Sequence, residues 1–203
     1  MGIQERKARN KEDLRRQILD AARHLFVTEG YENVSMRKVA DRIEYSPTTI
    51  YLHFRNKAEL LGAISEETLQ RLLNTLEGLS KEGGDAITIL RKSAQSYVAF
   101  GLEHPKDYDL TFIKRPLYQE GLRLTEGSAG ERAFRYLRAM VNECIEQKQF
   151  RPVDVETTGQ ALWGAMHGVT SLLISYPDFP WVDKNTLINT AIDIMIDGLK
   201  AQT

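Results

Sequence analysis

Apolar residues recur every three or four positions along almost the whole chain, and this period constrains the fold more than any other feature of the sequence. An early example is the segment from Lys11 to Thr28, which places Leu14, Ile18 and Leu25 on one face of a helix. No segment alternates apolar and polar residues for long enough to predict a strand. The sequence therefore predicts an all-α protein.

Capping residues, glycines and prolines divide this pattern into separate helices. Ser35 and Ser46 are suitable N-caps, Gly30 is a suitable stop, and Asn56 with Glu59 has the spacing of a capping box. A glycine-containing break is predicted at 121–130. The predicted helices cover residues 11–28, 35–43, 46–53, 56–80, 85–103, 106–114, 128–149, 154–176 and 183–200.

The formal net charge of −1 hides an uneven distribution of charge along the chain. Residues 1–57 carry 12 basic and 8 acidic side chains, whereas residues 58–203 carry 15 basic and 20 acidic ones. Near-neutrality therefore does not exclude a nucleic-acid partner. It predicts that only the N-terminal quarter of the chain contacts one.

The sequence offers little for metal, redox or enzymatic chemistry. Cys144 is the only cysteine, which excludes an internal disulfide and fits a reducing cytoplasm. The four histidines fall on different predicted helices with no ligand at metal-binding spacing, so we expect no metal site and no cofactor. No nucleophile–base pair or carboxylate pair stands out, so we do not expect an enzyme.

Residues 157–177 carry no formal charge, and their length is close to the roughly 20 residues that span a bilayer. Only about half of this segment is apolar, however, and a helix that is apolar on most sides can equally be buried inside a bundle. We interpret the segment as a bundle helix and expect no membrane span.

Two short predicted helices joined by a tight turn lie inside the basic segment, after a longer helix. This order favours a helix-turn-helix motif, and the alternative is an ordinary polar helical hairpin. If Ile50 and Leu52 turn inward, the third helix presents a polar face that suits bases and phosphates. That face consists of Thr48, Thr49, Tyr51 and His53.

From Leu14 to Leu61 the chain resembles the DNA-binding domain of TetR-type transcriptional regulators. The most specific part is a Tyr-x-x-Phe-x-x-Lys-x-x-Leu string that runs from Tyr51 to Leu60. The resemblance implies a three-helix helix-turn-helix domain over residues 1–57 and a helical bundle for ligand binding and dimerisation over residues 58–203. The DNA-binding residues that it implies are Ser35, Arg37, Ser46, Pro47, Thr48, Thr49, Tyr51, His53 and Lys57.

The chain departs from the family pattern at the turn between the second and third helices, where the family usually has glycine and this sequence has Glu44. A glutamate is strained at that position if the backbone needs a positive φ. It also places an acidic group near the edge that faces DNA.

A basic segment precedes the first predicted helix. It is either an arm that adds backbone or minor-groove contacts, or a solvated and disordered terminus. Its cations are Arg6, Lys7, Arg9 and Lys11.

A Trp-x-x-x-His-Gly pattern from Trp163 to Gly168 resembles the signature of one class of TetR C-terminal domains. Trp163 and His167 are four residues apart and therefore share a helix face. His167 is either a hydrogen-bonded core residue, which we favour, or a ligand contact. The residues that we expect to line an effector site are Tyr97, Phe100, Phe112, Phe134, Trp163 and His167.

Small residues on the penultimate predicted helix and apolar residues on the last one predict close helix packing. The resemblance places these two helices in an isologous dimer interface, and the alternative is packing within one chain. The residues that we assign to the interface are Gly164, Gly168, Ser171, Ser175, Ile188, Ile192 and Met195.

Together these features predict a cytoplasmic, homodimeric transcriptional repressor that binds a palindromic double-stranded DNA operator. A small apolar or amphipathic effector is expected to release it from the operator. The alternative is a DNA-binding dimer whose C-terminal domain docks a protein partner and binds no small molecule.

Overall fold

A computed structural model describes residues 2–81, 83–113 and 125–201. Over these ranges the structure is helical and contains no strand, apart from one isolated bridge between Phe150 and Lys200. The all-α prediction is confirmed. The helices are α1 (Ile3–Glu29), α2 (Met36–Arg42), α3 (Pro47–Tyr51), α4 (Lys57–Lys81), α5 (Ala86–Glu103), α6 (Pro105–Tyr108), α7 (Ala129–Glu146), α8 (Val155–Ser175) and α9 (Lys184–Asp197).

The predicted caps are present at the starts of the short helices. The Ser35 and Ser46 hydroxyls accept the backbone N–H groups of Lys38 and Thr49, each at 3.2 Å. Asn56 caps α4 through the N–H of Glu59 at 2.8 Å. The other half of the predicted capping box is shifted by one residue, since the Glu59 carboxylate accepts the N–H of Arg55 instead of that of Asn56.

Two helix boundaries differ from the prediction. The first helix begins at Ile3 instead of Lys11, because residues 3–13 are rich in strong helix formers and the Gly2 N–H donates to the Glu5 carboxylate at its start. The basic segment is therefore helical over the described residues. The helix predicted at 106–114 consists of α6 followed by a π-helical segment, Asp109–Ile113. Residue 114 and residues 121–124 of the predicted break at 121–130 lie outside the described residues.

The chain forms two compact units. Of the described residues, the first unit contains 2–67 and 110–113, and the second contains 68–81, 83–109 and 125–201. The predicted domain boundary after Lys57 falls at the first residue of α4, and the first unit continues along this helix to Glu67. Among the described residues, no helix is long and apolar enough to cross a membrane.

The core of the first unit holds α3 in place. Ile50 of α3 is completely buried and Phe54 is 2% exposed, and both belong to the apolar cluster that α1, α2 and α4 build. Leu52 was predicted to turn inward, but it is 77% exposed. Because α3 ends at Tyr51, the backbone turns before Phe54, and Phe54 takes the inward position instead.

The second unit is a bundle in which α5, α7, α8 and α9 share one apolar core. Its most crowded position is Gly101 of α5, where an added Cβ would collide with Thr170 and lie 3.0 Å from the Tyr108 ring. Glycine at this position permits the close approach of α5 to α8.

Gly101→Ala is expected to lower the free energy of unfolding by about 1–3 kcal/mol, because the extra methyl group overpacks a core contact. The matched control is Gly78→Ala on α4, where an added Cβ meets nothing within 4 Å. That change should stabilise the protein by about 0.5–1 kcal/mol. Urea unfolding measures both values, and equal stability of the two variants would contradict the close approach at Gly101.

Candidate functional site

The candidate nucleic-acid interface is the outer face of α3 and the residues around it. Ser46 caps this helix and Pro47 occupies its first turn, where a missing N–H costs no hydrogen bond. Thr48 and Tyr51 are exposed, the latter by 53%, while Ile50 anchors the opposite face in the core. The helix therefore presents a hydroxyl and a phenol to solvent.

The other predicted DNA contacts fall into two groups. Arg37 is exposed and His53 is half-buried, so both are accessible to solvent. The hydroxyls of Ser35 and Ser46 act as helix caps, and Thr49 Oγ1 lies 2.9 Å from Ser46 Oγ. These three hydroxyls are thus already engaged within the chain, although a hydroxyl keeps lone-pair capacity for a further partner.

Lys57 stands at the start of α4, as predicted, but its ammonium group has a protein partner. Lys57 Nζ donates to the Tyr31 carbonyl oxygen at 2.9 Å and lies 4.1 Å from the centroid of the Tyr31 ring. Its role as a phosphate ligand stays a prediction. Because an ammonium group has three donors, the bond to Tyr31 leaves donor capacity for one.

Two residues beside α3 were not among the predicted contacts. Tyr45 in the turn is 44% exposed, and Arg15 of α1 lies with its guanidinium carbon 5.0 Å from the Phe54 ring centroid. Partial burial lowers the pKa of His53, and the positive charges of Lys11 and Arg15 lower it further, whereas Glu12 opposes them. The start of α1 therefore adds positive potential at the end of α3.

The turn between α2 and α3 has the geometry that makes Glu44 unfavourable. Glu44 has a φ of 60°, so the left-handed conformation that favours glycine is present. The Glu44 N–H donates to the Asp41 carbonyl, and Tyr45 donates to that of Ala40, which holds the turn closed. The predicted strain is confirmed.

A second candidate site is a chain of polar aromatic groups in the second unit. The Trp163 indole N–H donates to the Tyr97 hydroxyl at 3.2 Å, and this hydroxyl lies 2.9 Å from that of Tyr108. The Tyr108 hydroxyl lies 2.7 Å from His167 Nδ1, and His167 Nε2 lies 3.2 Å from Ser171 Oγ. We call these five residues the polar network.

Burial keeps both tyrosines of the polar network protonated. It raises the pKa of Tyr97 and that of Tyr108, and the neighbouring Tyr97 raises the latter further. Since an indole N–H only donates, Tyr97 accepts from Trp163 and has its own proton to give to Tyr108. Tyr108 can then donate to His167 Nδ1, and in that tautomer His167 Nε2–H can donate to Ser171 Oγ. This ordering of protons is compatible with the four contacts that join the five residues.

The structure groups four of the six predicted effector residues. Tyr97, Trp163 and His167 belong to the polar network, and the Phe134 ring lies 6.4 Å from that of Trp163. Phe100 packs with Leu72 and Leu76 in an apolar cluster that Tyr97 also contacts. Phe112 belongs to the first unit, and its role in an effector site stays a prediction. Tyr108 was missed because a buried tyrosine in a short helix carries no periodic signal.

The predicted dimer residues also lie in different environments. Ile188 and Ile192 were assigned to an interface, but they are 9% and 0% exposed and belong to the core of their own unit. This face of α9 is not free for a partner chain, because α5 and α8 of the same chain already cover it. Met195 is half-buried.

The α8 part of the predicted interface is open within the chain. A Cβ added to Gly164 or Gly168 would meet nothing within 4 Å, and Ser175 is exposed. Ser171 instead bonds to His167. Two large apolar residues that the prediction missed are exposed, namely Leu172 by 47% and Ile194 by 69%.

No group of three or more potential metal ligands occurs among the residues that the structure describes.

A short helix with an exposed polar face, anchored in a small basic helical unit, defines a helix-turn-helix protein. Residues 18–64 match the family model described as "Bacterial regulatory proteins, tetR family", and residues 90–197 match the "Tetracyclin repressor-like, C-terminal domain" model. The second match alone covers more than half of the chain. The chain therefore belongs to the TetR family of DNA-binding transcriptional regulators. Its assignment to the Trp-x-x-x-His-Gly class stays a prediction.

Individual relatives match over very different lengths. The "HTH-type transcriptional activator FasR" of Mycolicibacterium smegmatis is 28% identical over 102 residues, which are 50% of this chain and 47% of that protein. Three further relatives are matched over only 31–36% of their own length. The "Fatty acid metabolism regulator protein" of Bacillus subtilis is 23% identical over 189 residues, 90% of this chain and 94% of the relative.

A solved structure shares the whole fold. The transcriptional regulator FadR from Bacillus subtilis, in complex with stearoyl-CoA, superimposes with a TM-score of 0.75. It is 19% identical and covers 90% of this chain and 98% of its own.

Glu44→Gly is expected to raise the free energy of unfolding by up to about 1 kcal/mol, because relief of the left-handed strain outweighs the greater unfolded-state entropy of glycine. Lys148→Gly is the matched control, because Lys148 has a φ of 58° but lies in the second unit. Both variants should be stabilised in urea unfolding, and only Glu44→Gly should also strengthen DNA binding. A gain for Lys148→Gly alone would contradict strain at Glu44.

Proposed function

We propose that this chain is a homodimeric repressor that reads a palindromic operator through α3 and leaves it when an amphipathic effector binds to the second unit. The observation that carries the proposal is the exposed Thr48 and Tyr51 face of a helix whose other side is locked into the core by Ile50. Side chains of this kind hydrogen-bond to base edges and phosphates in the major groove. We propose no catalytic activity, and we place the protein in the cytoplasm, where its operator would be.

The effector is proposed to contact the polar network. The network presents neutral hydroxyl, indole and imidazole groups beside the apolar ring of Phe134, which suits a ligand with one polar end and an apolar body. Trp163 is 37% exposed, so the network reaches the surface of the unit. One relative is named as a fatty acid metabolism regulator, and the solved structure of the regulator FadR from Bacillus subtilis contains stearoyl-CoA. A long-chain acyl thioester is therefore the first effector class to test.

Effector binding would reach the first unit through the chain itself. Tyr108 is completely buried in the second unit, and Leu110, only two residues later, is 3% exposed in the core of the first. The π-helical segment Asp109–Ile113 begins between them. A shift of Tyr108 that follows effector binding would be transmitted to Leu110, and a population shift of this kind changes the affinity for DNA.

Selection of bound duplexes from a random pool tests the DNA half of the proposal. We expect an enriched palindrome whose half-sites lie about 34–36 Å apart or at a multiple of that spacing. Stearoyl-CoA should then weaken binding to this operator at least tenfold, whereas coenzyme A should not. No enriched sequence would contradict operator recognition. Operator binding that no acyl thioester weakens would favour the alternative, a C-terminal domain that docks a protein partner.

The proposed dimer interface includes the open stripe of α8 around Gly164 and Gly168. Replacing both glycines by leucine should leave the monomer folded, because a Cβ added at either position meets nothing within 4 Å. It should weaken the dimer at least tenfold, since overpacking a contact costs about 1–3 kcal/mol. Analytical ultracentrifugation measures the change, and Gly78→Leu is the control. An unchanged dimer would place the interface elsewhere.

A further inference from the structure

The first turns of α1 extend beyond the core of the first unit. Residues 4–13 are all exposed, and the first fully buried side chain of the helix is Ile18. At 1.5 Å per residue, the segment from Ile3 to Asp13 extends over about 16 Å. A helical extension of this length contributes little to the core, and residues 4–13 face solvent instead.

One face of this extension is uniformly basic. Side chains four residues apart lie on the same side of a helix, and Lys7, Lys11 and Arg15 form such a row without an acidic member. The row on the opposite side contains Glu5 and Asp13 beside Arg9, and the row next to the cationic one contains Glu12. The positive charge is therefore concentrated on one side of the helix. We call Lys7, Lys11 and Arg15 the cationic row.

The cationic row leads to the end of α3. Arg15 lies with its guanidinium carbon 5.0 Å from the ring centroid of Phe54, the residue that anchors the end of the reading helix. The charges of Lys11 and Arg15 both reach His53, which precedes Phe54. The row thus begins beside the proposed base contacts and continues away from them by two helical turns.

We propose that the cationic row is a second DNA-binding surface, which holds the phosphate backbone of the duplex that flanks each operator half-site. The inference rests on the proposed function, because it takes α3 as the helix that occupies the major groove. Lysine and arginine side chains at phosphates release counterions and add affinity without adding sequence preference. A duplex rises about 3.4 Å per base pair, so an extension of about 16 Å spans roughly five base pairs beyond the half-site.

The test compares two operators and three proteins. One operator is the selected palindrome alone, and the other adds eight base pairs of arbitrary sequence to each end. The proteins are the wild type, the Lys7→Gln/Lys11→Gln variant and the charge-matched Arg6→Gln/Arg9→Gln variant, whose substitutions lie on other faces. Circular dichroism checks that helix content is unchanged, and fluorescence anisotropy measures affinity between 50 and 200 mM salt.

The wild type should bind the flanked operator more tightly, and Lys7→Gln/Lys11→Gln should lose this advantage while it still prefers the palindrome to an unrelated duplex. Its plot of log affinity against log salt should become shallower by up to about 1.8 per protomer, for two lost phosphate contacts. Arg6→Gln/Arg9→Gln should keep the advantage.

Three results would overturn the proposal. If the wild type gains nothing from the flanks, the extension does not reach the duplex. If both variants lose the advantage equally, cations on every side of the extension contribute alike, and the cationic row has no special role. If the wild type does not prefer the palindrome to an unrelated duplex, the proposed function fails as well. The same data therefore distinguish failure of the cationic row alone from failure of the proposed function.

Discussion

Two buried side chains hold α3 at the surface of the first unit. The helix α3 has only five residues and is too short to be stable by itself, so it depends on tertiary contacts. Ile50 and Phe54 supply these contacts because both are almost fully buried in the core of the first unit. The residues between them, Tyr51 to His53, are held at the surface as a consequence. The polar face that we propose to read DNA is thus created by the packing of its apolar neighbours.

The second unit depends in a similar way on one buried polar side chain. Tyr108 is fully enclosed, and its hydroxyl lies within hydrogen-bonding distance of Tyr97 and His167. Gly101 makes room for the Tyr108 ring by permitting the close approach of α5 and α8. A buried hydroxyl that is left without partners is costly, so the network favours one arrangement of these helices. A ligand that competes for any member of the network would disturb that arrangement.

Local signals in the sequence predicted most of the helices and the reading helix in particular. Serine caps, a proline in the first turn and a glycine stop each act within a few residues, so Ser35, Ser46 and Gly30 were identified correctly. Side-chain direction was harder to predict near helix ends. Leu52 fits the helical period but lies after the last residue of α3, and it faces solvent for that reason.

Contacts between distant segments were the least predictable part. Ile188 and Ile192 belong to an apolar stripe that suits either a partner chain or the chain's own core, and periodicity cannot separate the two. The polar network joins Tyr97 and Tyr108 to Trp163, His167 and Ser171, and spacing along one helix accounts only for the proximity of the last three. Net charge was informative only after it was divided along the chain, since the basic N-terminal segment is offset by acidic residues elsewhere.

The central claim is that the exposed side chains of α3 read the operator sequence. The most direct measurement is the affinity of a Thr48→Ala/Tyr51→Ala variant for the selected operator and for an unrelated duplex at the same salt concentration. The account predicts that the variant loses most of its preference for the operator, while its affinity for the unrelated duplex stays close to that of the wild type. A preserved ratio of the two affinities would contradict it, because sequence would then be read by another part of the protein.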